Sequence, residues 1–239
     1  IRAGSFADRL ADHFQIYLIY RSGSKAAAVM RMLRELVCCR PQLCYVFDMA
    51  ASGVLAAGLY RRATGTPFIV DTGDDIVALG RALGRTGWKL EATRWLEQYS
   101  LRQAKCIVVR GSYHQKLLTA RGIRAAFIPD GVDLKQFAPP ADLIARDLSQ
   151  PLTIGLVGSS IWVPTRSTCY GWELVELIRL LADRLDRPVR GVLVGDGSGI
   201  EFLKRRSAEL GIADRMQFSG RVSYEQLPAV LWTFDICLS

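Results

Sequence analysis

The chain has 239 residues, of which half are hydrophobic, and it carries a net charge of +8. This length accommodates one large or two ordinary domains. Its six cysteines form no CxxC pair and it has only two histidines, so neither a zinc site nor a disulfide framework is predicted. The longest apolar run, about 12 residues from Met49 to Tyr60, is too short to span a bilayer.

The net charge is unevenly distributed. Residues 151–239 hold equal numbers of basic and acidic side chains, so residues 1–150 carry all of the +8. This asymmetry indicates either an anionic partner for the first half, such as a lipid surface, a phosphorylated acceptor or a nucleic acid, or simply an arginine-rich solvated face. Aromatic residues do not interleave the basic ones as a single-strand-binding platform requires, and we expect no nucleic-acid partner.

Short apolar runs, each followed by a helical pattern, recur along the whole chain. They are rich in Val and Ile with little alternation, which is typical of strands covered on both faces. The predicted strands are Gln15–Tyr20, Leu43–Phe47, Pro67–Asp71, Cys106–Arg110, Ala125–Pro129, Leu152–Val157, Val189–Val194, Met216–Ser219 and Asp235–Leu238. Alternation of strands with helices predicts parallel sheets joined by right-handed crossovers.

Three helices are clearest in the second half. Glu173–Leu185 carries one apolar stripe. Ile200–Leu210 is followed by Gly211 in the position of a helix C-cap. A third helix is predicted to begin at Ser223, which forms a capping-box pattern with Gln226.

A hinge is predicted between two groups of strands. The strand ending in FIP is followed by the turn DGVD, the pair Pro139 and Pro140, and a polar run up to Pro151. We therefore predict an α/β fold of two Rossmann-like, doubly wound domains, residues 1–145 and 146–239, facing a cleft. Ligands usually bind in clefts between domains.

Two glycine loops follow strands of the second half. Gly158–Ser160 follows LTIGLV, and Gly195–Gly199 follows VRGVLV and precedes a helix. Such loops let the backbone approach a ligand and offer helix N–H groups to a phosphate, although many α/β turns use glycine for geometry alone. The dinucleotide fingerprint is absent, because GDGSGI lacks its third glycine.

Polar side chains also follow two strands of the first half. Asp71, Asp74 and Asp75 form a carboxylate group at a strand end, and Arg110 and His114 follow the next strand. The carboxylates suit hydroxyl binding, metal binding or general-base chemistry, and equally a capped turn. Arg110 is a candidate anion contact, whereas a lone His114 is more typical of a plain surface residue.

Taken in order along the chain, several of these segments resemble those of a known protein family. The chain contains RPQLCYVFD, TGTPFIVDTGDD, CIVVRGSYHQKLLTARGI, IPDGVDLKQFAPP, LTIGLVG and then GVLVGDGSGIEFLKRRSAELGIADRMQFSGRV. Together these segments resemble the family-4 retaining glycosyltransferases of the GT-B fold over nearly the whole chain. The resemblance implies that both domains are incomplete, the first without its opening strand and the second without its C-terminal part.

The resemblance also implies a reaction. The second domain would hold a nucleotide-sugar donor, and a sugar would move with retention to an acceptor bound by the first domain. The implied enzyme is a hexosyltransferase, and we expect no cofactor or metal. The free cysteines predict a reducing, cytoplasmic compartment. The basic first half predicts peripheral association with the inner membrane face, and the acceptor is left open between a lipid-linked molecule and a polysaccharide. The implied donor-binding residues are Gly158, Ser159, Gly195, Asp196, Gly197, Arg221 and Val222.

The chain departs from the family pattern at several positions. Ser159 and Tyr170 stand where the family often has an Arg and a Lys that neutralise the diphosphate. Gly73 precedes Asp74 where the family has a histidine, so we predict Asp74 as the catalytic base, with Asp71 and Asp75 in support. The family's pair of glutamates would fall beyond Ser239, so inactivity of this chain alone is an open alternative. The rivals are a non-catalytic binding or scaffold protein and a nucleotide-sugar epimerase.

Overall fold

A computed structural model describes residues 2–139 and 149–238, which form two compact units. The first unit comprises Ile1–Arg81 and Arg85–Asp130, and the second comprises Ala82–Gly84 and Gly131–Ser239. The predicted domain boundary between residues 145 and 146 lies outside the described residues. Each unit is a helix-covered parallel sheet.

The sheet of the first unit has four strands in the order β1-β2-β3-β4, and all of its neighbours pair in parallel. The strands are β1 (Cys44–Val46), β2 (Phe68–Thr72), β3 (Cys106–Val109) and β4 (Ala125–Phe127). The helices are α1 (Arg2–Leu10), α2 (Lys25–Cys39), α3 (Ala51–Thr64), α4 (Ile76–Ala82), α5 (Gly87–Gln103) and α6 (Ser112–Ala120). Phe68, Val70 and Val109 are completely buried, as expected for strands covered on both faces.

The prediction of a strand at Gln15–Tyr20 is wrong, because these residues have no regular secondary structure. Only Ile19 packs against the core, while Tyr17 and Tyr20 are more than half exposed. A strand forms only where its backbone groups find a neighbouring strand. Among the described residues β1 pairs only with β2, so this apolar run lies outside the sheet.

The sheet of the second unit has the order β10-β5-β8-β9, again entirely parallel. A small antiparallel hairpin, β6 and β7, follows β5. The strands are β5 (Leu152–Val157), β6 (Trp162–Val163), β7 (Thr168–Cys169), β8 (Val189–Val194), β9 (Met216–Gly220) and β10 (Ile236–Leu238). The helices are α7 (Trp172–Ala182), α8 (Ile200–Glu209) and α9 (Leu227–Leu231).

The helices of this unit follow their predicted patterns with shifted ends. Leu174 and Ile178 of α7 are completely buried, but the helix ends before Leu185, which is exposed. Gly211 follows α8 with φ 68, the left-handed conformation that ends many helices. The Ser223 hydroxyl accepts a hydrogen bond from the Gln226 N–H over 3.3 Å, yet α9 begins only after this turn.

The two strand orders differ in a way that matters for ligand binding. In the second sheet the chain runs from β5 through β8 to β9 and then returns to place β10 on the other side of β5. Ligands of open α/β sheets bind outside the carboxyl ends of the strands at such a reversal. The described strands of the first sheet follow one another without a reversal. The predicted class of Rossmann-like α/β domains is confirmed.

In the described part of the chain, no helix has both the length and the apolar character needed to cross a membrane.

Candidate active site

Three loops meet at the carboxyl edge of the second sheet. The Gly158 N–H donates to the Val194 carbonyl over 2.9 Å, and the Gly195 N–H donates to the Gly220 carbonyl over 2.8 Å. The loops after β5, β8 and β9 are therefore neighbours. They carry the residues predicted to bind the donor, namely Gly158, Ser159, Gly195, Asp196, Gly197, Arg221 and Val222. The structure brings this set together beside the reversal of strand order.

The glycines of these loops have a packing role that the sequence did not reveal. Gly195 and Gly197 have φ angles of 137° and 145°. A β-carbon at Gly197 would lie 2.2 Å from the Ser160 carbonyl oxygen, and one at Gly195 would lie 2.0 Å from that of Gly158. The first and second glycine loops thus pack backbone to backbone. Ser159 and Asp196, which lie between these contacts, are exposed.

Tyr170 closes over the first glycine loop. A β-carbon at Gly158 would lie 2.5 Å from the Tyr170 ring, and the Tyr170 hydroxyl donates to the Val157 carbonyl over 3.3 Å. Burial and the charge of Glu173 raise the pKa of Tyr170. An uncharged ring therefore lies directly beside Gly158, where the family pattern has a lysine.

The hairpin after β5 is held down by aromatic packing. The rings of Trp162 and Trp172 lie 4.6 Å and 5.4 Å from the ring of Phe202. Arg206 lies over Trp172 at 5.1 Å and pairs with Glu176 at 2.9 Å. These contacts pack the partly buried rings of Trp162 and Trp172 against α8, so they stabilise the hairpin.

In the first unit, Arg110 is surrounded by carboxylates of the protein itself. Its Nε lies 3.4 Å from buried Asp71 and 3.8 Å from Asp130, and its guanidinium also pairs with Asp48. Partial burial disfavours the charge on Arg110, but the hydrogen bonds and charges of Asp48 and Asp71 outweigh burial and raise its pKa. The Tyr45 hydroxyl donates to Asp71 over 2.9 Å. Arg110 is therefore paired with carboxylates of its own unit, and its contact with an external anion remains a prediction.

The three predicted aspartates have different environments. Asp71 is completely buried, whereas Asp74 and Asp75 are exposed. Asp75 accepts a hydrogen bond from the Ala78 N–H over 2.7 Å and so caps α4. The Asp74 backbone carbonyl accepts a hydrogen bond from the Thr72 hydroxyl over 2.7 Å. The Asp74 residue itself is exposed to solvent. Among the described residues no three His, Cys, Asp or Glu side chains are grouped to hold a metal.

His114 is half-buried in the first turn of α6. In the described part of the chain it makes no hydrogen bond to Asp71, Asp74 or Arg110. Its predicted place on the acceptor side therefore remains a prediction.

Glu97 is a titratable residue of this region that the sequence analysis missed. Burial, followed by the charge and the hydrogen bond of Asp75, raises its pKa from the ordinary 4.5 to about 7. Glu97 lies three residues before Ser100, which is completely buried. This helical spacing is the signal that could have shown the side chain facing inward.

The chain matches no protein-family model, and no curated protein is similar to it in sequence. Solved structures do resemble it. HepE from Anabaena, in complex with UDP-glucose, is 15% identical with a TM-score of 0.64, covering 98% of this chain and 63% of HepE. Sucrose-phosphate synthase from Thermosynechococcus elongatus is 17% identical with a TM-score of 0.63, covering 87% and 52% of the two chains.

A glycosyltransferase from Rickettsia africae is also similar, with 15% identity, a TM-score of 0.58, and coverage of 99% of this chain and 62% of that one. The fold is that of the GT-B glycosyltransferases. This chain spans between 52% and 63% of the length of these three structures.

Within this GT-B fold, the Glu97 side chain predicts a pH-dependent stability. Its pKa of about 7 exceeds the ordinary 4.5, so the folded protein binds this proton more tightly than the unfolded chain. Stability gained from this proton is fully present below pH 4.5 and is lost as the pH rises to about 7. We expect Glu97→Gln to remove this decrease in stability between pH 4.5 and about 7. At pH 8 the variant should have a free energy of unfolding that is higher by roughly 1 kcal/mol. This value is discounted because the side chain is only half-buried.

Urea unfolding of both proteins from pH 4.5 to 8 measures this effect. Glu91→Gln is the matched control, because Glu91 lies exposed on the same helix and pairs with Arg94. Equal pH profiles for the parent and Glu97→Gln would contradict the assignment.

Proposed function

We propose that this protein transfers a sugar from a nucleotide-sugar donor, held by the second unit, to an acceptor held by the first unit. The observation that carries the proposal is the meeting of three strand-end loops at the reversal of strand order beside β5. This is the position at which open α/β sheets bind nucleotides. The GT-B fold supports it, since HepE with this fold was solved with UDP-glucose.

The donor's diphosphate would be recognised mainly by backbone groups. Helix α8 has ten residues and begins after Gly199 without a side-chain cap. The Ile200 N–H already donates to the Gly197 carbonyl over 3.2 Å, so the N–H groups proposed for a phosphate are those of Glu201 and Phe202. Arg221 follows β9 and is exposed at the same edge, where it suits a contact to the nucleotide. We propose a hexose donor and retention of configuration, as the sequence resemblance implies.

We expect Arg221→Ala to weaken UDP-glucose binding about tenfold, because it removes one charge-assisted contact. Isothermal titration calorimetry measures the affinity. Arg184→Ala is the matched control, because Arg184 is an exposed arginine that precedes β8 and so lies at the opposite edge of the sheet. Its affinity should stay within about twofold of the parent. Equal losses in both variants, or no binding of UDP-, GDP- or ADP-sugars to the parent, would contradict the proposed donor site.

For the acceptor side we keep Asp74 as the proposed base, with Asp71, Asp75, Arg110 and His114 around it. Its exposed carboxylate at the end of β2 is open to an acceptor hydroxyl. In a transfer assay, Asp74→Asn should lower turnover by about a hundredfold with donor affinity unchanged. If Glu97→Gln has the larger effect, the base is Glu97, whose pKa of about 7 also suits proton transfer.

One observation favours a second candidate, a GT-B-like binding protein without transferase activity. Tyr170 covers Gly158 and Ser159 is exposed beside it, so the two cations expected to neutralise the diphosphate are absent there. Donor binding without any transfer or hydrolysis of the sugar would support this candidate. Detection of a product, with its anomeric configuration read by NMR, would support the transferase.

We also propose an anionic membrane surface as a partner, because the first half of the chain carries all of the net charge. Each well-placed basic side chain adds about 1 kcal/mol of attraction to an anionic leaflet. Equal flotation with neutral and anionic vesicles would contradict this partner.

A further inference from the structure

The first unit contains a pocket of about 630 Å³ next to the carboxyl ends of β1 and β2. The turn after β1 and the first residue of α4 form one wall, and α5 forms another. The lining residues used below are Arg21, Lys25, Ser52, Arg85, Trp88 and Lys89.

Four helices begin at this pocket. Lys25 opens α2, Ser52 lies in the first turn of α3, Ile76 opens α4, and Trp88 and Lys89 lie in the first turn of α5. Helices α3 and α5 begin without a side-chain cap. The N-termini of α2 and α4 are capped by Ser24 and Asp75, so the uncapped positive ends at this cavity are those of α3 and α5, which favour a negatively charged ligand.

The side chains add to this field. Arg21, Lys25, Arg85 and Lys89 line the pocket, and none of them forms an ion pair within the described ranges. The carboxylate that lines the pocket, Asp48, is paired with Arg110. The cavity thus holds a surplus of positive charge that no described residue neutralises.

A buried polar side chain is also left without a partner. Ser52 is only 3% exposed and lines the pocket, and its hydroxyl makes no hydrogen bond to any described residue. Two other buried serines of helices, Ser100 and Ser207, donate to the carbonyl one turn earlier. A buried hydroxyl normally has a partner, so the partner of Ser52 comes from the cavity, where a ligand oxygen can take the place of water.

The rim of the pocket is apolar. Trp88 is 76% exposed and Leu79 is 44% exposed, and both line the cavity. Exposed large apolar side chains around a charged pocket suit a ligand with a charged head and a hydrocarbon chain.

We infer that this pocket binds the phosphate or diphosphate head of an amphiphilic molecule whose apolar chain lies along Trp88 and Leu79. The assignment of this molecule as the sugar acceptor rests on the proposed function. The binding of the amphiphile to the pocket does not depend on the proposed function.

The test uses the whole chain with three probes, measured by calorimetry: farnesyl diphosphate, inorganic diphosphate and farnesol. The pocket variant Arg21→Ala/Lys89→Ala is compared with Arg102→Ala/Lys116→Ala, which removes the same charges from exposed sites outside the pocket. We expect farnesyl diphosphate to bind more tightly than either other probe. The pocket variant should weaken it about tenfold or more and the control less than about twofold.

Two further variants separate head from chain. Ser52→Ala should weaken farnesyl diphosphate and inorganic diphosphate alike, and Trp88→Ala should weaken only farnesyl diphosphate. Equal losses in the pocket and control variants would overturn the pocket, and inorganic diphosphate binding as tightly as farnesyl diphosphate would overturn the amphiphile. UDP-glucose affinity, measured in parallel, should not change. If the parent binds farnesyl diphosphate but no UDP-, GDP- or ADP-sugar, the proposed donor site is refuted and the pocket still stands.

Discussion

Replacing Gly197 with alanine is expected to lower the free energy of unfolding of the second unit by about 3 kcal/mol or more. The new β-carbon would lie 2.2 Å from the Ser160 carbonyl oxygen, and the backbone has φ 145. The obstacle is backbone rather than a flexible side chain, so the two glycine loops must separate. Because this substitution also destabilises the donor loops, a loss of donor binding in the variant would not measure the effect on ligand approach alone.

Gly211→Ala is the matched control for this prediction. Gly211 also has a positive φ of 68, but a β-carbon there meets nothing within 4 Å. Its expected cost is about 1 kcal/mol, the cost of the left-handed backbone alone. Urea unfolding followed by tryptophan fluorescence measures both variants. Similar midpoints for the two would show that the glycine loops tolerate a side chain.

The second large effect is expected at Arg110. Arg110→Leu removes one cation from beside the completely buried Asp71, and removing the partner of a buried charge costs up to about 3–5 kcal/mol. Asp48 and Asp130 are mostly exposed, so water can solvate their carboxylates when the Arg110 guanidinium is removed.

Two further variants test the cause of this loss. Tyr45→Phe removes only the hydroxyl that donates to Asp71 and should cost about 1 kcal/mol. Asp71→Asn in the Arg110→Leu background should recover part of the stability, because the buried group is then neutral. A double variant no more stable than Arg110→Leu would show that the guanidinium acts through packing instead.

The architecture was predictable because fully covered parallel strands leave a strong local signal. Runs such as Cys106–Arg110 and Leu152–Val157 are apolar without alternation, and each became a strand within a residue of its predicted ends. Gln15–Tyr20 is also apolar, but among the described residues it has no partner strand. The local sequence determines the tendency of a segment to be extended, but it does not show whether a neighbouring strand is available for pairing.

The location of the candidate site could be predicted from the sequence, but the contacts and ionisation of its residues could not. The glycine loops were located from strand–turn–helix patterns, but the contacts of Gly197 and Gly195 with neighbouring backbone are tertiary and leave no local signal. Arg110 was predicted to contact an anion, and the anions it contacts are the carboxylates of its own unit. The raised pKa of Glu97 depends on burial and on Asp75, 22 positions away in the sequence.

The two strand orders also imply different routes of folding. Each pair of neighbours in the first sheet is joined by a single crossover, so that sheet can grow by successive local contacts. The second sheet is complete only when β10 reaches β5, and the Thr153–Asp235 hydrogen bond that opens this pairing spans 82 residues. Folding slows as contacts become more distant in sequence, so the edge that frames the reversal beside β5 is expected to form after the first sheet. Hydrogen-exchange labelling during refolding would show this order directly.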